Sequence, residues 1–219
     1  MHKHTEPDPA RTPPASIEDY WNGHYGQRSQ IWSGNVNPLL AREAQRLAVG
    51  RALDLGCGEG GDAVWLARQG WHVTAVDVSS TALDRGRAAA ESAGVSALIE
   101  WQQHDLGRSF PAGEFDLVSA QFLQSPVELD RETILGRAAA AVAPGGSLLV
   151  VGHAAFPPWS KMAGSDVRLP TADEVLASMR LDPHSWHTVL CRVESREATG
   201  PDGLEATLYD SVVLVQRVS

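Results

Sequence analysis

Apolar residues along the chain follow two periods. From Arg51 onward, runs of strand length rich in Val, Leu, Ile or Trp alternate with longer stretches whose apolar positions recur at helical spacing. That alternation predicts βαβ units and a mainly parallel sheet. The strand-like runs are 51–55, 72–77, 98–103, 115–121 and 147–151. Between them the pattern predicts helices at 62–68, with Ala63, Leu66 and Ala67 on one face, and at 79–93, where Thr81 and Asp84 have capping-box spacing. Two further helices are expected at 128–142, stopped by Pro144-Gly145-Gly146, and at 171–179. The alternation then breaks. Extended segments at 188–197 and 206–217, joined by Thr199-Gly200-Pro201-Asp202-Gly203, predict an antiparallel hairpin. Upstream of the first strand, 16–47 reads as a cap that packs Tyr20, Trp21, Tyr25 and Trp32 into a short span before a helical stretch at 38–47. Residues 1–15 hold Pro7, Pro9, Pro13 and Pro14 among polar and small residues, and are expected to be a disordered arm. His2 and His4 on that arm are read as solvated, and no metal is expected.

Composition narrows the classes. A chain of 219 residues, 43% apolar and 21% charged, can bury one sizeable core, and 16–219 is expected to form one domain. Eighteen Lys plus Arg against 27 Asp plus Glu give a formal charge of −9, a field that repels nucleic acid and anionic membranes. Two cysteines, Cys57 and Cys191, suggest neither a disulfide framework nor a metal knuckle. With no signal-like start and no long apolar run, a cytoplasmic location is expected. Oligomeric state is not legible.

The chemistry concentrates after the first strand. Leu53-Asp54-Leu55-Gly56-Cys57-Gly58-Glu59-Gly60-Gly61 joins a strand to a helix, where glycines permit a tight turn and close approach of backbone to a ligand. Gly56, Gly58 and Gly61 also satisfy G-x-G-x-x-G, and Asp77 lies 21 residues after Gly56, so a nicotinamide dinucleotide is formally allowed. Asp54 and Glu59 argue against it, because a pyrophosphate needs amide donors free of nearby carboxylates. S-adenosylmethionine carries a sulfonium, an ammonium and one carboxylate, so acids by the loop suit it better. Asp77 at the second strand's end, followed by Val78, can accept two ribose hydroxyls, and Asp105 with the Leu106 amide is placed to read an adenine edge. Cys57 fills space rather than reacts, since its neighbours are acidic. Asp116, at the start of its strand, reads as structural.

These residues resemble the class I S-adenosylmethionine-dependent methyltransferases from about Trp21 to the C-terminus. Leu53 to Gly60 looks like the family's cofactor loop, Val76-Asp77-Val78-Ser79 like its ribose-binding strand end, and His104-Asp105-Leu106 like its adenine clamp. Phe115-Asp116-Leu117-Val118, Pro144-Gly145-Gly146 and the terminal hairpin are similar to its later strands. The resemblance implies an α/β, Rossmann-like, seven-stranded sheet of order 3-2-1-4-5-7-6 with strand 7 antiparallel, helices on both faces and an N-terminal helical cap. It also implies S-adenosyl-L-methionine as cofactor and S-adenosyl-L-homocysteine as product. The nearest types are small methyltransferases such as the tellurite-resistance and thiopurine enzymes. Expected cofactor residues are Asp54, Gly56, Cys57, Gly58, Gly60, Asp77, Val78, Asp105, Leu106 and Gln121.

Ligands of open α/β sheets bind at the carboxyl ends of the strands, so Phe122, His153 and Phe156 should face the methyl acceptor. Ser119-Ala120-Gln121-Phe122 stands where amide- and base-methylating relatives carry Asn-Pro-Pro-Tyr, which argues against DNA-adenine and protein-glutamine acceptors. Trp21, Tyr25, Trp32 and Trp159 are the expected roof, suited to a small apolar or aromatic molecule. A hydroxyl acceptor calls for a base, and His153 is the candidate; a thiol or chalcogen anion calls for none. Two alternatives stay open: a nicotinamide-dependent oxidoreductase, and a catalytically silent cofactor-binding module.

Overall fold

A computed structural model describes residues 16–127, 129–160, 162–200 and 203–218. The proposed arm at 1–15, with His2 and His4, and the turn residues Pro201 and Asp202 lie outside the described residues. The strands are β1 (Arg51–Leu55), β2 (His72–Asp77), β3 (Ile99–Gln103), β4 (Phe115–Gln121), β5 (Val142–His153), β6 (Trp186–Thr199) and β7 (Glu205–Arg217). They form one sheet of order β3-β2-β1-β4-β5-β7-β6. The first five pair in parallel, and β7 runs antiparallel between β5 and β6. The helices are α1 (Ile17–Tyr25), α2 (Pro38–Ala44), α3 (Gly61–Arg68), α4 (Ser80–Ser92), α5 (Arg131–Ala140) and α6 (Ala172–Ser178).

The central strands read as continuous apolar runs because both faces are covered. Alternate residues go to opposite cores. Leu53, Leu55, Val118, Leu148 and Val213 pack with Ile134 and Leu135 of α5 and Val175 of α6. Ala52, Leu117, Leu149 and Val212 pack with Leu40 of α2, Leu66 of α3 and Ala90 of α4.

Local signals fix most helix starts. Ser16 caps α1 by accepting from the Asp19 amide (3.0 Å), and Asn37 caps α2 just before Pro38. Thr171 and Glu174 form a full capping box on α6. Two expectations need correction. The cap of α4 is Ser79, accepting from the Ala82 amide, and Thr81 with Asp84 forms no capping box. Helix α5 starts at Arg131, where Asp130 caps it, and ends at Ala140; Pro144-Gly145-Gly146 lies inside β5. A bulge absorbs those residues, since pairing with β4 runs from Phe115↔Val142 directly to Leu117↔Ser147.

The cap is tied to the sheet's carboxyl side. Ser79 Oγ donates to Asn22 Oδ1 on α1 (2.7 Å), and Gln103 Nε2 donates to Glu18 (2.9 Å).

Candidate active site

The carboxyl ends of β1, β2, β4 and β5 open into a cavity of about 570 Å³, roofed by the N-terminal segment. Its size is in the range of small-molecule sites. At one end stands the β1–α3 loop. The Gly56 and Cys57 amides donate to Val76 O (2.8 and 2.9 Å), which folds the loop back over β2. Asp77 is buried; its Oδ2 accepts from the Gly58 amide (2.9 Å) and its Oδ1 from the Ser79 amide (2.8 Å). Each carboxylate oxygen has a second lone pair, so both can still accept from a ligand. Burial raises the Asp77 carboxyl above its usual range, and the amide donors pull it partway back.

Two more acids face this end. Asp54, from β1, is 2% exposed, and its Oδ2 has no hydrogen-bond partner. Its burial pushes the carboxyl well above the usual range, with the Asp62 and Asp77 charges adding to the effect. Asp62, in the first turn of α3, accepts from the Asn37 amide (2.6 Å), and burial raises it to about 6. Nothing in the loop's sequence motifs singles out Asp62; only its place in the first helical turn hints at it.

Glu59 departs from its expected part. Its carboxylate accepts from the Ile31 and Trp32 amides (3.0 and 2.8 Å) and pairs with Arg85 Nη1 (2.6 Å), while Arg85 Nη2 donates to the Tyr25 and Arg28 carbonyls. Glu59 therefore straps the cap down, and its charge is neutralised. Gly60, unlike Glu59, does not line the cavity. It adopts φ +82°, and a Cβ there would clash with the edge of the Trp101 ring, so packing alone requires glycine.

Asp105 and Leu106 line the cavity beside Val78. Asp105 accepts from the Gly107 amide (3.1 Å) and meets Arg108 (3.3 Å), while the Leu106 side chain is buried. Trp21, Tyr25 and Trp32 line the roof, with the Trp32 indole donating to Tyr25 Oη (3.1 Å). Burial pushes the Tyr25 phenol further up, so it stays protonated.

The other end is built from β4, β5 and the hairpin. Gln121 donates to Ser119 Oγ (2.8 Å) and leaves a buried Oε1 unpartnered. Phe122 holds a left-handed backbone (φ 50°), an uncommon state for a bulky residue, and its ring lies against His153 with centroids 4.4 Å apart. His153 Nδ1 meets Asp210 Oδ1 (3.2 Å), and Arg196 Nε donates to Asp210 Oδ2 (2.6 Å). An ionised Asp210 can only accept, so Nδ1 carries the proton and Nε2 keeps the free lone pair. The cavity does not reach Phe156 or Trp159. Trp159 packs on Gly200, where a Cβ would run into its ring. Sequence reasoning missed Arg196 and Asp210; the one signal is Asp210, a buried charge on a strand that runs into the apolar stretch Val212 to Val215, and Arg196 among polar neighbours has none.

Comparison with known proteins bears on this geometry. Residues 52–146 match the family model described as a methyltransferase domain. The matched segment, under half of the chain, is a methyltransferase domain. An uncharacterized methyltransferase of Mycobacterium tuberculosis is 35% identical over 124 residues, 56% of this chain and 60% of the relative. The ribosomal protein L11 methyltransferase of Dechloromonas aromatica is 35% identical over 126 residues, 53% of this chain and 40% of the relative. The chain thus matches less than two thirds of either relative's length. The N-methyltransferase NodS of Bradyrhizobium japonicum, solved with S-adenosyl-L-homocysteine, superposes with a TM-score of 0.63 at 17% identity, covering 91% of this chain and 98% of NodS. The methyltransferase-domain match favours S-adenosylmethionine as the cofactor over a nicotinamide dinucleotide. The dinucleotide reading of the loop's glycines recedes. The matched segment holds Asp54, Asp62, Asp77, Asp105 and Gln121 but ends before His153, Arg196 and Asp210.

Proposed function

We propose that the protein transfers a methyl group to a small-molecule nucleophile in the cytoplasm, with residues 16–219 acting as one domain whose cap spans 16–47. The observation that carries this reading is a single roofed cavity with buried acids at one end and a His–Asp pair at the other. When bound, S-adenosylmethionine supplies an electrophilic methyl group whose bond to sulfur breaks as the bond to the nucleophile forms, the electron pair staying on sulfur.

The residues present suit that cofactor. Asp54, with its orphaned Oδ2, and Asp62 favour a cationic ligand, while Asp77 receives the ribose hydroxyls and Asp105 with Leu106 the adenine. Gly56, Cys57, Gly58, Val78 and Gln121 complete the cofactor wall, and Gly60 supports it through Trp101. His153, oriented by Asp210, takes the proton from a hydroxyl acceptor through Nε2. Trp21, Tyr25, Trp32 and Phe122 exclude water from the reacting pair. The formal charge of −9 disfavours a nucleic-acid partner. Among the described residues no helix is long and apolar enough to cross a membrane.

A methyl-transfer screen across phenols, thiols, amines and chalcogen oxyanions tests the acceptor class. Turnover on at least one of them is expected. Turnover on a ribosomal protein or RNA with none on that panel would contradict the proposal.

Asp62 gives a pH signature. A cationic ligand favours the ionised carboxylate, so binding lowers its pKa from about 6 and releases a proton. S-adenosylmethionine affinity should therefore hold above pH 7 and fall below about pH 6, by up to about tenfold per pH unit. In the free protein the raised carboxyl acts the other way: its stabilisation is full below about pH 4 and is lost as pH rises through about 6. Titration calorimetry between pH 5 and 8 reads the affinity, and thermal melts between pH 4 and 7 the stability; an affinity flat across its range would remove Asp62 from the cofactor site.

A further inference from the structure

The two ends of the cavity differ in charge. Asp54, Asp62 and Asp77 make the cofactor end acidic, whereas the acceptor end carries guanidinium groups. Arg196, on β6, lines the cavity with its Cζ 5.8 Å from the Phe122 ring centroid. Its one hydrogen bond among the described residues is from Nε to Asp210, which leaves both Nη nitrogens without a partner. Asp210 is fully buried and shares its other oxygen with His153, so it pins the guanidinium at one edge only.

A second cation lies behind this wall. Arg131, at the start of α5, has a buried Nε and Nη2 with no partner, and Nη2 sits 3.5 Å from where a Cβ on Gly152 would be. The Gln124 amide, part of the cavity lining, is 4.0 Å from the same point. Among the described residues Arg131 has no carboxylate partner, and Asp210 balances one arginine only. Among the described residues the acceptor end therefore holds an excess positive charge in a partly desolvated setting, which repels an ammonium and attracts an anion.

Building on the methyltransferase reading above, we propose that the acceptor is a small organic acid whose carboxylate is held by the two Nη nitrogens of Arg196, beside His153. The paired Nη donors match the two oxygens of a carboxylate, and the Phe122 ring, tilted 37° against His153, offers an apolar surface for the rest of the molecule. A phosphate ester is less suited, because the glycine loop that would supply further amide donors lies at the acidic end.

The test uses protein saturated with S-adenosylhomocysteine, titrated calorimetrically with benzoate and phenylacetate, their primary amides, and benzylamine. The acids should bind roughly ten- to hundredfold more tightly than the amides, with benzylamine weakest. Arg196→Gln should erase the preference for acids, while S-adenosylhomocysteine affinity reports that the site is still folded. Arg196→Lys, which keeps the charge opposite Asp210, should retain part of it. Equal binding of acids and amides, an acid preference that survives Arg196→Gln, or no binding of either acid would overturn the proposal. Failure of the wild-type protein to bind S-adenosylhomocysteine would instead overturn the methyltransferase reading beneath it.

Discussion

Asp77→Ala should weaken S-adenosylhomocysteine binding by at least about a hundredfold. Two charge-assisted hydrogen bonds to ribose hydroxyls are lost, at about 1.5–3 kcal/mol each. The same carboxylate also accepts from the Gly58 and Ser79 amides, so the substitution loosens the glycine loop. The melting temperature should fall as well, by a few degrees, because water from the cavity can partly replace the carboxylate at those amides. Both quantities need measuring together. A lowered melting temperature with unchanged affinity would make Asp77 a loop brace and nothing more.

His153→Ala should lower turnover of a hydroxyl acceptor by about 10² to 10⁴, the usual contribution of a positioned general base. The variant should fold, because Asp210 keeps Arg196 as a partner when the imidazole is gone. Asp210→Asn is a sharper probe. It preserves shape but removes the acceptor that fixes the imidazole tautomer, so a loss of rate with a displaced pH profile is expected. A thiol acceptor, which ionises unaided near pH 8.5, should respond little to either change. Rate measurements on a hydroxyl acceptor between pH 6 and 9 decide the matter; an unchanged profile in His153→Ala would remove the base from the mechanism.

Much of this architecture was legible before any coordinates. Strands 51–55, 72–77 and 115–121 were readable because burial on both faces writes short, mostly apolar runs, and glycines with an acid 21 residues later mark the ligand-binding crossover. The α5–β5 border was not. Pro144-Gly145-Gly146 looks like a stop, but the chain bulges there, and Gly146 packs so closely on the Phe115 and Asp116 carbonyls that a Cβ would clash. Asp116 proved readable as structural: its Oδ2 accepts from the Arg51 amide (2.7 Å) at the strand's start.

The acceptor end was the least legible part. His153 could be named from its place after β5, but Asp210 comes opposite it only through the register of the β5–β7 ladder, which pairs His153 with Asp210. Arg196 follows from the next ladder, since it lies on the strand paired with β7. No local pattern encodes such long-range pairings. Phe156 and Trp159 failed for a related reason: a loop's composition says that its aromatics will be buried, not against what, and Trp159 found the space left by Gly200. Glu59 shows the converse. Its charge by the loop was visible, yet Arg85 and the cap amides that claim it come from 26 to 28 residues away in sequence.

The most direct test of the whole reading is a calorimetric titration of the purified protein with S-adenosylhomocysteine and, separately, with NADH. One equivalent of S-adenosylhomocysteine should bind, with NADH giving no heat beyond dilution. Binding of NADH without binding of S-adenosylhomocysteine would contradict it.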